Sequence, residues 1–181
     1  SRDVGQLAPG GTESGQTPLQ IPLGKEAGIY FIIARADWNA AVPETAETNN
    51  DRASAGVRVG GDLVVTSVAS SATGVAGGPI SVTDTTANQG AGPIAQSSTG
   101  FYLSLTTTIG PTSVFIGSRT VGALGPSGSE QATTPLTIPM GTAPGTYFVL
   151  GVADWNNAVP EAVETNNTRT GNAVRIGPDL T

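Results

Sequence analysis

The amino-acid sequence predicts an all-β protein built as antiparallel β-sandwich repeats of about seven strands each. Three observations carry that prediction. Apolar and polar residues alternate with period two through short runs rich in Val, Ile, Thr and aromatics, as in "PISVTDTT" (79–86). Clusters of Gly, Pro, Asn and Ser separate these runs, and no stretch carries the three-to-four spacing of an amphipathic helix. The third observation is that the sequence repeats itself at a period suited to one bead-like domain.

The repeat is read directly from paired segments. "SRDVGQLAPGGTE" (1–13) matches "SRTVGALGPSGSE" (118–130), and "TPLQIPLG" (17–24) matches "TPLTIPMG" (134–141). "GIYFIIARADWN" (28–39) then matches "GTYFVLGVADWN" (145–156), and "VRVGGDLV" (57–64) matches "VRIGPDLT" (174–181). Ser1 aligns with Ser118, an offset of 117 that holds without a gap, and more than half the aligned positions are identical. One full repeat therefore runs over 61–177. Residues 1–60 read as the closing half of a preceding repeat, and 178–181 as the opening of a following one. The expected organisation is a window of about one and a half repeats from a tandem array.

Within the full repeat seven strands are expected, in this order. "DLVVTSVA" (62–69) opens with β-branched residues, and "PISVTDTTAN" (79–88) alternates cleanly until "ANQGAGP" supplies a turn. "TGFYLSL" (99–105) and "TSVFIGSRTV" (112–121) follow, the second ending before the turn residues of "LGPSGS" (124–129). "EQATTPLTI" (130–138), "GTYFVLGVAD" (145–154) and "TRTGNAVRI" (168–176) complete the set. Both faces of "YFVLGVADW" are apolar, but Arg35 stands where the second copy has Val152. That places Phe31, Ile33 and Asp37 outward, and Tyr147, Val149, Gly151, Ala153 and Trp155 inward. Phe148 and Leu150 are then expected on a partly exposed apolar face, packed by a neighbour or by a covering loop.

Composition removes several functions. The net charge is −6 with only eight Lys plus Arg, which excludes the clustered basic side chains that nucleic acid or an anionic membrane surface requires. Cysteine and histidine are absent, so disulfides, thiolate chemistry, zinc sites and imidazole-based triads are excluded. No apolar run approaches the roughly 20 residues of a membrane-spanning helix.

The chemistry-bearing stretch is "ADWNNAVPEAVETNNT" (153–168), written a first time as "ADWNAAVPETAETNND" (36–51). Three readings are open for it. Asp154, Glu161 and Glu164 could serve as a carboxylate pair for glycoside hydrolysis, although no aromatic-lined cleft is evident and both copies carry the set. Calcium could be held by Asp154, Asn156, Asn157, Glu161, Glu164 and Asn166, with Asp37, Asn39, Glu44, Glu47 and Asn49 equivalent in the first copy. The spacing is not that of an EF-hand loop. The third reading is structural: Asn and Asp satisfy backbone donors, an Asn of "ETNN" takes the left-handed conformation, and Trp155 closes the core. An inward Trp38 and Trp155 would leave no stacking surface for carbohydrate. "NNT" (166–168) is also an N-glycosylation sequon.

Two segments carry a family resemblance. The opening "GDLVVTSVASSATGVAGGPISVTDTTANQGAGPI" and the ending "LTIPMGTAPGTYFVLGVADWNNAVPEAVETNNTR", followed by the restart "GPDL", resemble the CARDB family, the cell-adhesion-related domain found in bacteria. The resemblance covers the full repeat and the half repeat. It implies an immunoglobulin-like sandwich in large repetitive surface or secreted proteins of prokaryotes, acting as spacer or adhesive module with no shared catalytic residues. The tryptophan after the aspartate departs from the usual family pattern.

The expected protein is therefore a non-enzymatic extracellular module of a tandem-repeat surface or filament-forming protein. It would need no cofactor, with calcium the open option. Its partners would be copies of itself or neighbouring repeats, and a cell-surface glycan or protein. A calcium- or carbohydrate-binding accessory module of a secreted enzyme is the alternative. Residues 1–60 hold only closing strands, expected as "GQTPLQI", "GIYFIIARAD" and "RASAGVRV", and a half sandwich exposes an apolar face and open edges. Missing upstream residues, or strands from another chain, are the expected ways of completing it.

Overall fold

A computed structural model describes residues 1–22 and 25–177. The reading of 178–181 as the opening of another repeat lies outside the described residues. Twelve strands are described: β1 Gly28–Tyr30, β2 Ile33–Arg35, β3 Asp51–Ala53, β4 Val57–Val59, β5 Leu63–Ser70, β6 Thr73–Gly74, β7 Pro79–Asn88, β8 Ser97–Ser104, β9 Val114–Val121, β10 Ser129–Thr137, β11 Gly145–Ala153 and β12 Thr168–Ile176. The seven strands expected in the full repeat are present within two residues at each end. The two-residue β6, which runs parallel to the end of β12, is additional.

The repeat is an all-β, immunoglobulin-like sandwich. One sheet has the order β10-β7-β5 and the other β6-β12-β11-β8-β9. All pairings except β6 with β12 are antiparallel. The inward face of β7 explains how the two ends of the sandwich differ. Ile80 and Val82 enter a core with Phe101, Leu103, Ile138, Val149, Val174 and Ile176. Further along the same face, Asp84 is ion-paired to Arg119 at 2.7 Å, and the Thr86 and Thr99 hydroxyls hydrogen-bond at 2.6 Å. Asn88 ends the strand as a buried hub. Its Oδ1 accepts from the amides of Asp62 and Gly90, and its Nδ2 donates to carbonyls of Gly92, Leu124 and Gly125. The Asn88 end thus adds fixed polar groups to its own apolar cluster of Leu63, Val65, Ile94, Val121, Leu124 and Ala153.

Of the two covers expected for the Phe148/Leu150 face, a neighbour or a loop, the structure has the loop, and Leu150 beneath it is 0% exposed. The β8–β9 connection covers that face: the Thr107 carbonyl accepts from Thr170 Oγ1 at 2.6 Å, and Thr170 lies opposite Leu150 across the β11–β12 pair. Ser104 Oγ braces the connection against Thr106, Thr108 and Ser113.

In residues 1–60, β1 pairs with β4 and β2 with β3, in the same register as β11 with β12. The strand expected at "GQTPLQI" does not form a described ladder. Its equivalent, β10, bonds only to β7, and residues 1–60 contain nothing equivalent to β7. Ile21, Phe31, Ile32, Ile33 and Trp38 are exposed as a result.

Candidate functional site: the acidic corner

The corner begins where β11 stops. Asp154 has φ 42° and Asn157 φ 50°, so the chain turns through two left-handed residues. Asp and Asn tolerate that region because their short polar side chains bond locally. Asp154 does so: its carbonyl accepts from Asn157 N at 2.7 Å and its Oδ2 from Val159 N at 2.8 Å. The first copy repeats this turn with φ 42° at Asp37 and 50° at Ala40, and Asp37 accepts from Ala41 N and Val42 N. The left-handed residues therefore sit at the start of the stretch and not at "ETNN", where they were expected.

This turn also corrects the direction of the tryptophan. Period-two alternation holds through Ala153, which is fully buried, and is broken by the left-handed Asp154. Trp155 consequently lies on the outer face, 38% exposed, stacked on Phe115 with ring centroids 4.5 Å apart and 29° between planes. Tyr102 meets Phe115 edge-on at 5.3 Å. Gly100 is what admits the indole, since a Cβ there would lie 2.6 Å from Trp155 Cγ. Trp38 is likewise exposed. The premise that both rings point inward, which counted against carbohydrate stacking, does not hold.

The second part of the corner grips the segment that leads into β5. Glu161 is 5% exposed, and its Oε2 accepts from Leu63 N at 2.6 Å. Ala162 N donates to the Gly61 carbonyl at 2.8 Å, and Asn166 Nδ2 donates to Asp62 Oδ1 at 2.9 Å. Asp62, 0% exposed, also accepts from Arg58 Nη1 and Gln89 Nε2, both at 3.2 Å. Gly92 N bonds the Gly60 carbonyl at 2.8 Å. Six contacts therefore hold residues 60–63, five of them from two loops distant in sequence, 89–92 and 161–166, and one from Arg58. The opposite end of the repeat holds its last strand by Arg175 N to the Ala72 carbonyl and Gly177 N to the Gly74 carbonyl.

Among the expected calcium ligands, Asp154, Glu161, Glu164 and Asn166 belong to this corner. Asn156 is drawn aside, accepting from Ser98 Oγ at 3.1 Å. Glu164 Oε1 accepts from Glu161 N, and Glu161 Oε1 from Asn167 Nδ2. Among the described residues no three acidic side chains gather into a metal-holding group. Three buried oxygens of the corner, Asp154 Oδ1, Asn166 Oδ1 and Asn167 Oδ1, have no protein donor. In the first copy Glu44 N bonds Glu47 Oε1 in the same way, but Glu44, Glu47 and Asn39 are exposed. The sequon asparagine, Asn166, has its amide nitrogen committed to Asp62.

Electrostatics single out Glu161. Burial raises its pKa to about 7; the Leu63 amide pulls the other way, and the charges of Glu164, Asp154 and Asp62 add to the rise. Asp62, Asn88 and Asn167 were not anticipated as members of this site. The signal for Asp62 was available, because Asp-Leu recurs at 62–63 and 179–180. Nothing in the sequence marked Asn88 beyond its place before a turn.

A family model described as CARDB matches residues 60–171. The chain belongs to the CARDB family. The match starts at the clasped glycine pair and spans the acidic corner, so both partners of the clasp lie within one CARDB domain. CARDB is a non-catalytic domain family. Among solved structures, the chain is similar to the CARDB domain of a Pyrococcus furiosus protein described as in complex with di-metal ions, at 21% identity and a TM-score of 0.47 over 65% of this chain and 89% of that one. It is also similar to a domain of a Methanosarcina acetivorans protein described as a cell surface protein, at 21% identity and 0.47 over 67% and 96%. A Listeria innocua β-glucosidase overlaps at 15% identity and 0.43, over 70% of this chain and 17% of that one. The family assignment rests on the sequence match. Among curated proteins no match is found. No helix in the described residues is long and apolar enough to cross a membrane.

Proposed function

We propose that this CARDB protein is a non-catalytic structural module of an extracellular, tandem-repeat surface protein, in which the acidic corner of each repeat clasps the segment arriving from the repeat before it. The observation that carries the reading is the 2.6 Å bond from the Leu63 amide to the buried Glu161 carboxylate, flanked by Asn166 to Asp62 and Ala162 to Gly61. Those bonds fix the connector on the sandwich, so successive repeats keep a restricted orientation instead of swinging on a flexible linker. Incoming and outgoing chain leave from opposite ends of the sandwich, the arrangement an extended spacer needs. The acidic stretch is present in both copies because each repeat has its own connector to hold.

Backbone relaxation by NMR tests this. Amides of residues 61–63 are expected to have order parameters of about 0.85, equal to the strands, whereas values below about 0.6 would mean a free linker. Surface proteolysis of intact producing cells tests the location: release of the protein is expected, and full retention would contradict it.

A second reading has its own support. The unpartnered oxygens of Asp154, Asn166 and Asn167 favour a calcium ion at the corner. The outward Trp155–Phe115 stack favours a sugar ring on the sheet face. Chelator-dependent melting and glycan-array binding separate these from the structural role.

A further inference from the structure

The junction between the two copies carries a buried charge as well as backbone contacts. Asp62 opens the repeat with a carboxylate that is 0% exposed. Two of its side-chain donors, Asn166 and Gln89, are neutral amides of its own repeat. The third is Arg58, whose Nη1 lies 3.2 Å from Oδ2. Among the described residues it is the one cation paired with this carboxylate. Arg58 belongs to the repeat before, in the middle of β4 and opposite Ile29 of β1. A carboxylate taken out of water needs its charge answered, and leaving it unanswered costs more than a surface pair gains. The downstream repeat therefore draws the counter-charge for its first strand from the last strand of its upstream neighbour.

The backbone between Arg58 and Asp62 is seated so that this arginine stays in reach. Gly60 has φ 99°, and its carbonyl accepts from Gly92 N. A Cβ on Gly90 would lie 2.6 Å from the Gly60 carbonyl oxygen, and one on Gly92 would lie 2.9 Å from Gly60 Cα. Only a glycine pair admits the preceding repeat's exit turn this closely. The same parts recur at the outgoing end of the full repeat. Arg175, Gly177 and Pro144 are the offset equivalents of Arg58, Gly60 and Ala27. Gly177 again has a left-handed φ, 122°, and packs on Pro144 as Gly60 packs on Ala27. In sequence Asp179 follows Arg175 at the spacing by which Asp62 follows Arg58.

We propose that Asp62 and the Gly90/Gly92 seat form a socket for the Arg-x-Gly end of the preceding repeat, and that Arg58 couples the stability of the two. The contact is directional, because each repeat lends its arginine to the next one along the chain. It supplies the nearest-neighbour interface energy by which repeats in an array support one another. The proposal rests on the clasp reading and adds to it a charge that the clasp's own bonds do not require. Arg58 is 54% exposed, which limits the size of the coupling.

Native-state hydrogen exchange of the intact chain tests the coupling, read at the Val149 and Val174 amides in the core of the downstream repeat. Arg58→Gln is expected to speed their exchange about fivefold or more, although the substitution lies in the upstream copy. Arg58→Lys, which keeps the charge, is expected to stay within about twofold of wild type. Arg52→Gln, an exposed arginine of the same half repeat, is expected to change nothing. In an Asp62→Asn background the Arg58→Gln effect is expected to vanish. If Asp62→Asn does not fold, the Gln and Lys comparison decides alone. Unaltered exchange in Arg58→Gln, equal exchange in the Gln and Lys variants, or a full effect without the Asp62 charge would each overturn the proposal. The clasp fails separately: a Leu63 amide still protected beside a core indifferent to Arg58 would remove the coupling and leave the clasp.

Discussion

Replacing Glu161 with Gln perturbs the clasp with little change of shape and isolates its charge. The folded pKa of about 7 lies above the ordinary value of 4.5, so the folded state holds the proton more tightly than the unfolded chain. Stability from this group is therefore complete below pH 4.5, is lost as pH rises toward 7, and stays flat above. The rise from 4.5 to about 7 corresponds to about 3 kcal/mol between pH 4.5 and pH 8, as an upper figure. In the Gln variant that dependence disappears. Its side-chain oxygen still accepts from Leu63 N, while its Nε2 takes the place of the oxygen that accepts from Asn167 Nδ2, so the Asn167 amide turns over to present its otherwise unpartnered Oδ1. Urea denaturation at pH 5, 6, 7 and 8 reads the difference between the two proteins. Wild type is expected to lose up to about 3 kcal/mol relative to the Gln variant across this range, roughly 10 °C in Tm for a domain of this size. Equal pH dependence of the two proteins, or a wild type that gains on the variant as pH rises, would refute the electrostatic account of Glu161.

Four further outcomes follow from the same geometry. Asn88→Ala strips partners from two buried amides and three carbonyls, and is expected to cost about 3 kcal/mol or more, measured by chemical denaturation. Trp155→Ala is expected to cost only about 1–2 kcal/mol, because the ring is a surface stack; a loss of 4 kcal/mol would restore the inward reading. Gly100→Val is expected to lift the indole off the sheet, seen as a red-shifted tryptophan emission. A calcium chelator is expected to leave Tm within about 1 °C, since the Glu161, Glu164 and Asn166 side chains already have protein partners; a drop of several degrees would assign the unpartnered corner oxygens to a cation.

Most of the fold was legible because it rests on local pattern. β7 alternates strictly from Ile80 to Asn88, and Gly-rich turns bound it, so its face and ends followed from period and turn chemistry. The offset between copies made the repeat boundary visible at Gly60–Gly61, where the family match begins. What failed was extrapolation across a backbone turn. The inward assignment of Trp155 extended strand parity one residue past Asp154, whose positive φ no apolar pattern records. For Leu150 the sequence left open a neighbour or a covering loop, and could not choose because the cover, the connection through Thr107, is a long-range contact without periodicity. The corner was recognised as polar and turn-forming. Its actual partner, the segment 60–63, lies about a hundred residues earlier, and hydrogen bonds over that distance leave no local trace in the sequence.

Hydrogen exchange at the Leu63 amide tests the central claim most directly, because that single group is what Glu161 holds. If the corner clasps the incoming segment, Leu63 N–H exchanges as slowly as core amides of β11 and β12 such as Val149 and Val174, and Glu161→Ala raises its rate at least tenfold while those remain protected. A Leu63 amide that exchanges freely in the wild type, with Val149 and Val174 still protected, would contradict the account.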